Sequence, residues 1–328
     1  MRRRISVRRA AAYLIKWVFK TRIPCRTPKS PPAATAVFSP VIQLKSDREI
    51  GLMRHAGICV WQAHQFVRQI VVPGVTTAEI DAVIAGHFRR CNAQPLFKDY
   101  PHQNSGRPAF PAATCTSVND EVVHGIPNNR PLPEGAIVSV DTGCRLNGWC
   151  GDAAVTYPVG RISPAIQRLL DVTLATLDLA YELIHTKSRW SQVAREMAQF
   201  VRDHGFSTVE CFVGHGIGRQ MHEEPQVPNF LSRSLRGSGD FRIEPGLVIA
   251  VEPMVNMGTK RVKMHSDHWT QSTLDRKPSA HFEHTIAVTK DGPRLLTAAP
   301  SPEELANLPW DFSGTMETAG KAVATGTG

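Results

Sequence analysis

Apolar positions along this chain recur with two periods, and the switch between them marks its elements. From Ser46, the residues Ile50, Met53, Gly57, Val60, Trp61 and Val67 recur near helical spacing. "SDRE" makes Ser46 an N-cap whose hydroxyl and the Glu49 carboxylate can satisfy each other's end of a first turn. Pro73-Gly74 breaks the run. "TTAE" at 76–79 then opens a second capped helix with Ile80, Val83, Ile84, His87, Phe88 and Cys91 on one face. A similar pair recurs later. One helix is predicted near 163–185 on Ile166, Leu169, Leu170, Leu174, Leu177, Ala180 and Leu183, and another near 190–203 on Val193, Met197, Phe200 and Val201. Each pair leads into a stretch of period two. "AIVSV" before Asp141 and "CGDAAVTYPVG" after "LNG" read as a hairpin, and "TVECFVGHG" (208–216) reads as one strand. Helix, helix, strand therefore occurs twice, which implies an α+β chain with two similar halves.

Composition refines this picture without changing it. A hydrophobic fraction of 42% and a charged fraction of 20% fit a globular chain with a substantial core. No apolar run reaches the length of a membrane span. The net charge of +9 belongs to one end. Residues 1–46 hold 11 Lys and Arg and no acid, and removing those from 38 leaves 27 basic against 29 acidic residues. That basic, Pro-rich segment at 1–45 reads three ways: a solubilising extension, an organelle transit peptide, or a ribosome or RNA contact through phosphate attraction. Residues 46–297 form the expected folded domain. Residues 298–328 read as a flexible tail in which Trp310 and Phe312 could dock. Seven cysteines without a CxxC pair suggest reduced thiols in a cytosol-like compartment, and Cys144 and Cys150 suit buried apolar positions better than a zinc knuckle.

The candidate chemistry starts at the predicted hairpin. It can place Asp141 and Asp152 side by side, and two half-buried carboxylates repel unless a cation or a shared proton joins them. "FVGHGIGRQMHEEP" adds His215 and His222, "GLVIAVEPM" adds Glu252, and "HFEHTIAVT" adds Glu283. Four carboxylates carry about −4, which two divalent cations balance.

The runs "SVNDEVVHGIP" (117–127), "VSVDTG" (138–143), "GDAAVTYPVG" (151–160), "GHGIGRQMHEEPQVPNF" (214–230), "EPGLVIAVEPMV" (244–255) and "HFEHTIAVT" (281–289) resemble the type I methionine aminopeptidases. These belong to the creatinase/aminopeptidase superfamily, and the resemblance covers roughly 46–297. It implies the pita-bread fold, with two α+β halves related by a pseudo-twofold axis around a dinuclear centre. It implies a monomer that removes the N-terminal methionine from nascent polypeptides, in the cytoplasm or, if 1–45 is a transit peptide, in an organelle. Two divalent cations (Co, Fe, Mn or Zn) are implied. Asp141, Asp152 and Glu283 would hold one, and Asp152, Glu283, His215 and Glu252 the other. Glu252 would also move the proton of the attacking water, His124 and His222 would bind the substrate, and Phe110, Met221 and Trp269 would line the methionine pocket.

The chain departs from that pattern at several positions. Ala153, Ala154, Ala250 and Gly143 stand where hydroxyl-bearing residues are common, the 96–114 loop is long and lacks a Gly-Tyr pair, and Met221 replaces an aromatic residue. Two alternatives remain open on the sequence. One is a proline-type aminopeptidase, disfavoured by the short segment before the domain. The other is a non-catalytic ribosome- or RNA-associated protein on the same scaffold, disfavoured by the complete ligand set.

Overall fold

The computed structural model describes residues 41–102, 104, 106–308 and 310. The basic segment up to residue 40 and Phe312 lie outside the described residues. Among those described there are five α-helices: α1 (Asp47–Ile70), α2 (Thr77–Arg90), α3 (Pro164–Ile184), α4 (Trp190–Asp203) and α5 (Pro302–Ala306). The strands fall into two groups. In the first half are β1 (Gln94–Pro95), β2 (Cys115–Val118), β3 (Glu121–Val123), β4 (Ile137–Leu146) and β5 (Trp149–Pro158). In the second are β6 (Ser207–Thr208), β7 (Gly214–Gly216), β8 (Glu223–Val227), β9 (Val248–Val251), β10 (Met254–Asn256), β11 (Val262–Met264), β12 (Gln271–Thr273), β13 (Ser279–His281), β14 (His284–Thr289) and β15 (Gly292–Leu295).

The local signals act where they stand. Ser46 with Glu49, and Thr76 with Glu79, form reciprocal capping boxes that satisfy the free N–H groups at the starts of α1 and α2. Ser163 caps α3, with Pro164 in the first turn where its missing N–H costs nothing. Two expectations shift. Leu174 faces solvent at 41% exposure, because the buried stripe of α3 runs through Leu169, Thr173, Leu177, Ala180 and Ile184. The single strand expected over 208–216 is broken. Ser207 and Thr208 pair with β10, while Gly214–Gly216 crosses to β8 and β9, so the chain changes sheets between them.

Two cores result. In one, Val60, Val67, Ile84 and Phe88 of the α1–α2 pair pack on Val138, Val140 and Tyr157 of the hairpin sheet. In the other, Leu169, Leu177, Trp190 and Met197 of the α3–α4 pair pack on Ile249, Val255, Ala280 and Ile286. Each such apolar side chain contributes about 1.5–3 kcal/mol by leaving water. The first sheet is built around β4, with β5 along one edge and β1 and β2 along the other. The main sheet of the second half runs β15-β14-β9-β7-β8, all antiparallel.

Hydroxyl bonds lock the halves together along β5. Thr156 Oγ1 donates to the His281 carbonyl at 2.8 Å and accepts from the His281 N–H at 2.9 Å. Thr285 Oγ1 donates to the Asp152 carbonyl at 2.8 Å and accepts from the Asp152 N–H at 3.1 Å. Between these two, the Glu283 N–H donates to the Ala154 carbonyl at 2.8 Å.

Packing extends beyond both expected domain limits. Lys45, only 7% exposed, donates to Glu223 at 2.6 Å, and its backbone N–H donates to the Gly246 carbonyl. At the other end the buried Arg54 guanidinium donates to the carbonyls of Leu296, Ala298 and Ala299 and to both carboxylate oxygens of Glu304 in α5. Trp310 packs on the first core and donates from Nε1 to Gln62 at 2.9 Å. The folded body therefore passes Thr297, where the flexible tail was expected to begin.

Candidate metal centre and substrate cavity

The antiparallel hairpin explains how two aspartates converge. Its tight turn at Asn147-Gly148 has φ of 50° and 80°, the left-handed pair that matches strand twist. The register pairs Asp152 with Gly143, and Gly143 shares a face with Asp141 because strand side chains alternate. Gly143 leaves the room this needs, since a Cβ there would lie 2.8 Å from Asp152 Oδ1. The second half supplies the rest. His215 stands in the middle of β7, Glu252 directly follows β9, and Glu283 sits between β13 and β14.

These five side chains line one cavity of about 70 Å³. Donor atoms of Asp152, His215 and Glu283 lie within 4.8 Å of one another, and His215 Nε2 is 3.6 Å from Glu252 Oε1. Asp141 Oδ1, Asp152 Oδ1 and Glu283 Oε1 are buried and have no hydrogen-bond partner. Burial raises all four carboxyl groups. It lifts Asp152 to about 7 and, with added repulsion from the neighbouring carboxylates, pushes Asp141, Glu252 and Glu283 well above the usual range. Burial lowers His215 to about 4, which keeps its imidazole neutral and able to ligate. Orphaned carboxylate oxygens around a neutral imidazole fit divalent cations.

The same cavity carries the substrate candidates. His124 and His222 line it, as do Phe110, Met221 and Trp269. The Phe110 and Trp269 rings meet edge to face at 5.3 Å, and Met221 packs beside them. His222 packs on His215 with ring centroids 4.3 Å apart. His124 takes a positive φ of 60°, unusual for a side chain with a Cβ, and is neutral through burial at about 4.

Four neighbours have no such signal in the sequence. Tyr100 hydroxyl lies 3.0 Å from His222 Nδ1, and Phe97 and Cys115 complete the apolar wall. His281, 2% exposed, directs a partnerless Nε2 to within 3.9 Å of Glu252 Oε2. Only its place two residues before Glu283 could have drawn attention to it.

The chain is similar to known proteins in sequence and fold. The profile of metallopeptidase family M24 matches residues 51–290. Methionine aminopeptidase 1 of Bacillus subtilis is 41% identical over 257 residues, covering 78% of this chain and 99% of its own length. The chain belongs to metallopeptidase family M24. The methionine aminopeptidase of Clostridium perfringens is 42% identical over 257 residues, again 78% of this chain and 99% of its own. Among solved structures, the methionine aminopeptidase of Thermotoga maritima superposes with a TM-score of 0.73 at 38% identity, covering 79% of this chain and all of its own. Prolidase from Pyrococcus furiosus, at 17% identity and a TM-score of 0.60, covers 79% of this chain and 66% of its own and bears on the fold alone. The fold is the creatinase/aminopeptidase pita-bread fold. As a member of the family the chain is a metal-dependent hydrolase.

Proposed function

We propose that this chain is a methionyl aminopeptidase that removes the N-terminal methionine of nascent polypeptides. The observation that carries this reading is one cavity that joins a ring of buried carboxylates to an apolar wall of Phe97, Phe110, Met221 and Trp269. An unbranched thioether side chain packs well on aromatic edges and on another thioether. The carboxylate end is where the reacting bond would lie.

In this reading Asp141, Asp152, His215, Glu252 and Glu283 hold two divalent cations, of Co, Fe, Mn or Zn. When bound, such a pair polarises a carbonyl and acidifies water. The chain's own residues do the rest. Glu252 takes the proton of the attacking water and delivers it to the departing amide nitrogen, so that as the new C–O bond forms and the C–N bond breaks, no charge is stranded. The Tyr100 hydroxyl lies 3.0 Å from His222 Nδ1 and orients the ring; with Tyr100 as donor, the imidazole proton would sit on Nε2, available to a substrate oxygen. His124, also neutral and lining the same cavity, serves the same oxygen or the peptide amide. The ten basic residues of 1–44 give the N-terminal segment an attraction for phosphate, which fits a ribosomal contact.

The test is the selectivity of metal-reconstituted enzyme on Met-Gly-Ser against Leu-initiated and Pro-containing peptides. A clear preference for Met is expected. Equal or better cleavage of the Pro-containing peptide would replace this reading with a proline-type peptidase.

A further inference from the structure

Away from the cavity, three thiols and an imidazole converge inside the first core. Cys59 comes from α1, His87 and Cys91 from the end of α2, and Cys144 from β4. Their exposures are 0%, 4%, 6% and 0%. His87 and Cys91 are one helical turn apart, so they share a face. Cys59 Sγ lies 3.6 Å from His87 Nε2, and Cys91 Sγ lies 3.7 Å from each ring nitrogen. Donor atoms of Cys59, His87 and Cys91 lie within 4.8 Å of one another; Cys144 stands outside that group, in contact with the Cys59 thiol and 3.6 Å from the Ala56 carbonyl.

These separations have a chemical meaning. Zinc held by sulfur at about 2.3 Å and nitrogen at about 2.05 Å in a tetrahedron sets a sulfur-to-nitrogen edge of about 3.6 Å, close to the 3.7 Å between Cys91 Sγ and His87 Nδ1. Metal-bound histidines commonly donate their outer N–H to a backbone carbonyl, and His87 Nε2 already lies 2.9 Å from the Cys59 carbonyl, leaving Nδ1 for a metal. We propose that Cys59, His87 and Cys91 hold a zinc ion and that the neighbouring Cys144 thiol turns from the Ala56 carbonyl to close the site as fourth ligand, tying α1 and α2 to the hairpin sheet. The four ligands come from three separate elements, which is why no local cysteine spacing announces them. Contact with Cys144 raises the Cys59 thiol and contact with Cys59 raises the Cys91 thiol, each helped by burial, so without a cation they stay protonated. On zinc binding the three thiols release three protons to solvent, and the site carries one net negative charge. This inference does not depend on the peptidase reading.

The test loads the full-length chain with Co(II) and looks for a near-ultraviolet thiolate-to-cobalt charge-transfer band. Carboxylates and imidazoles cannot produce it, and the two cysteines that line the cavities around the carboxylates among the described residues, Cys115 and Cys211, are controlled by substitution. The band is expected in the wild type, in Cys115→Ser and in Cys211→Ser, and lost in Cys91→Ser while peptidase activity and carboxylate-bound metal persist. Zinc-edge X-ray absorption on the wild type, which needs no variant to fold, should show three sulfur ligands and one nitrogen on one zinc equivalent. Absence of the band from folded wild-type protein, its loss in Cys115→Ser or Cys211→Ser, a zinc edge without sulfur, or a Cys59–Cys91 disulfide in non-reducing peptide mapping would overturn the site.

Discussion

At the scale of single residues, the cavity divides its histidines by neighbour. His215 stands among carboxylates, whereas His222 is held by Tyr100 and faces the apolar wall. His222→Ala should therefore keep its metal content by elemental analysis while losing about 10²–10³ in kcat, the range for one lost oxyanion donor. Loss of a metal equivalent in that variant would make His222 a ligand. The carboxylates also predict a pH dependence in metal-stripped protein. Asp152 rises from 3.8 unfolded to about 7 folded, and Asp141, Glu252 and Glu283 rise in the same direction. A raised carboxyl favours the folded state only while protonated, so folding loses stability as pH climbs from the unfolded value through the folded one. The buried histidines are lowered, so they oppose this trend only below 6.5, where the unfolded chain takes up their protons. Thermal unfolding should show the stripped protein weakening as pH rises from 6.5 through 7, with metal-loaded protein spared. A parallel response of both forms would show that the carboxylates are not the cation's partners.

At the scale of elements, what could be read in advance was what is local. Capping boxes at Ser46 and Thr76 and the turn at Asn147-Gly148 act within a few residues, and each sits where its pattern placed it. The two aspartates were legible for the same reason, since hairpin register follows from turn length. Tyr100, His281, and the Thr156 and Thr285 hydroxyls were not, because their partners lie far along the chain. The hydroxyls counted as missing at Ala153, Ala154 and Ala250 have a counterpart in these two threonines, which hold β5 against 281–285. Gly143 is the exception that the fold explains: any side chain there meets the Asp152 carboxylate. Gly143→Ala should displace Asp152 and weaken metal affinity about 10–100-fold, as for other changes that reorient a ligand. Isothermal titration with Mn(II) measures this, and unchanged affinity would show that Asp152 can move without cost.

At the scale of the whole molecule, the site exists only where two halves meet. Asp141 and Asp152 stand on strands of the first half, and His215, Glu252 and Glu283 on or beside strands of the second. Periodicity could find both halves, since each repeats helix, helix and strand, but it could not find the bonds along β5 that align them. Nor could it place the limits of the body, because Lys45 and Glu304 are fixed by Glu223 and Arg54 across the fold. The most direct test joins stoichiometry to chemistry in one experiment: divalent metal is titrated into stripped full-length protein while bound metal and methionine released from Met-Gly-Ser are measured together. The account predicts release that rises with occupancy to two equivalents per chain, and, in Asp152→Asn, both lost metal and no release. Full methionine release by Asp152→Asn, or release from wild type with no metal bound, would contradict it.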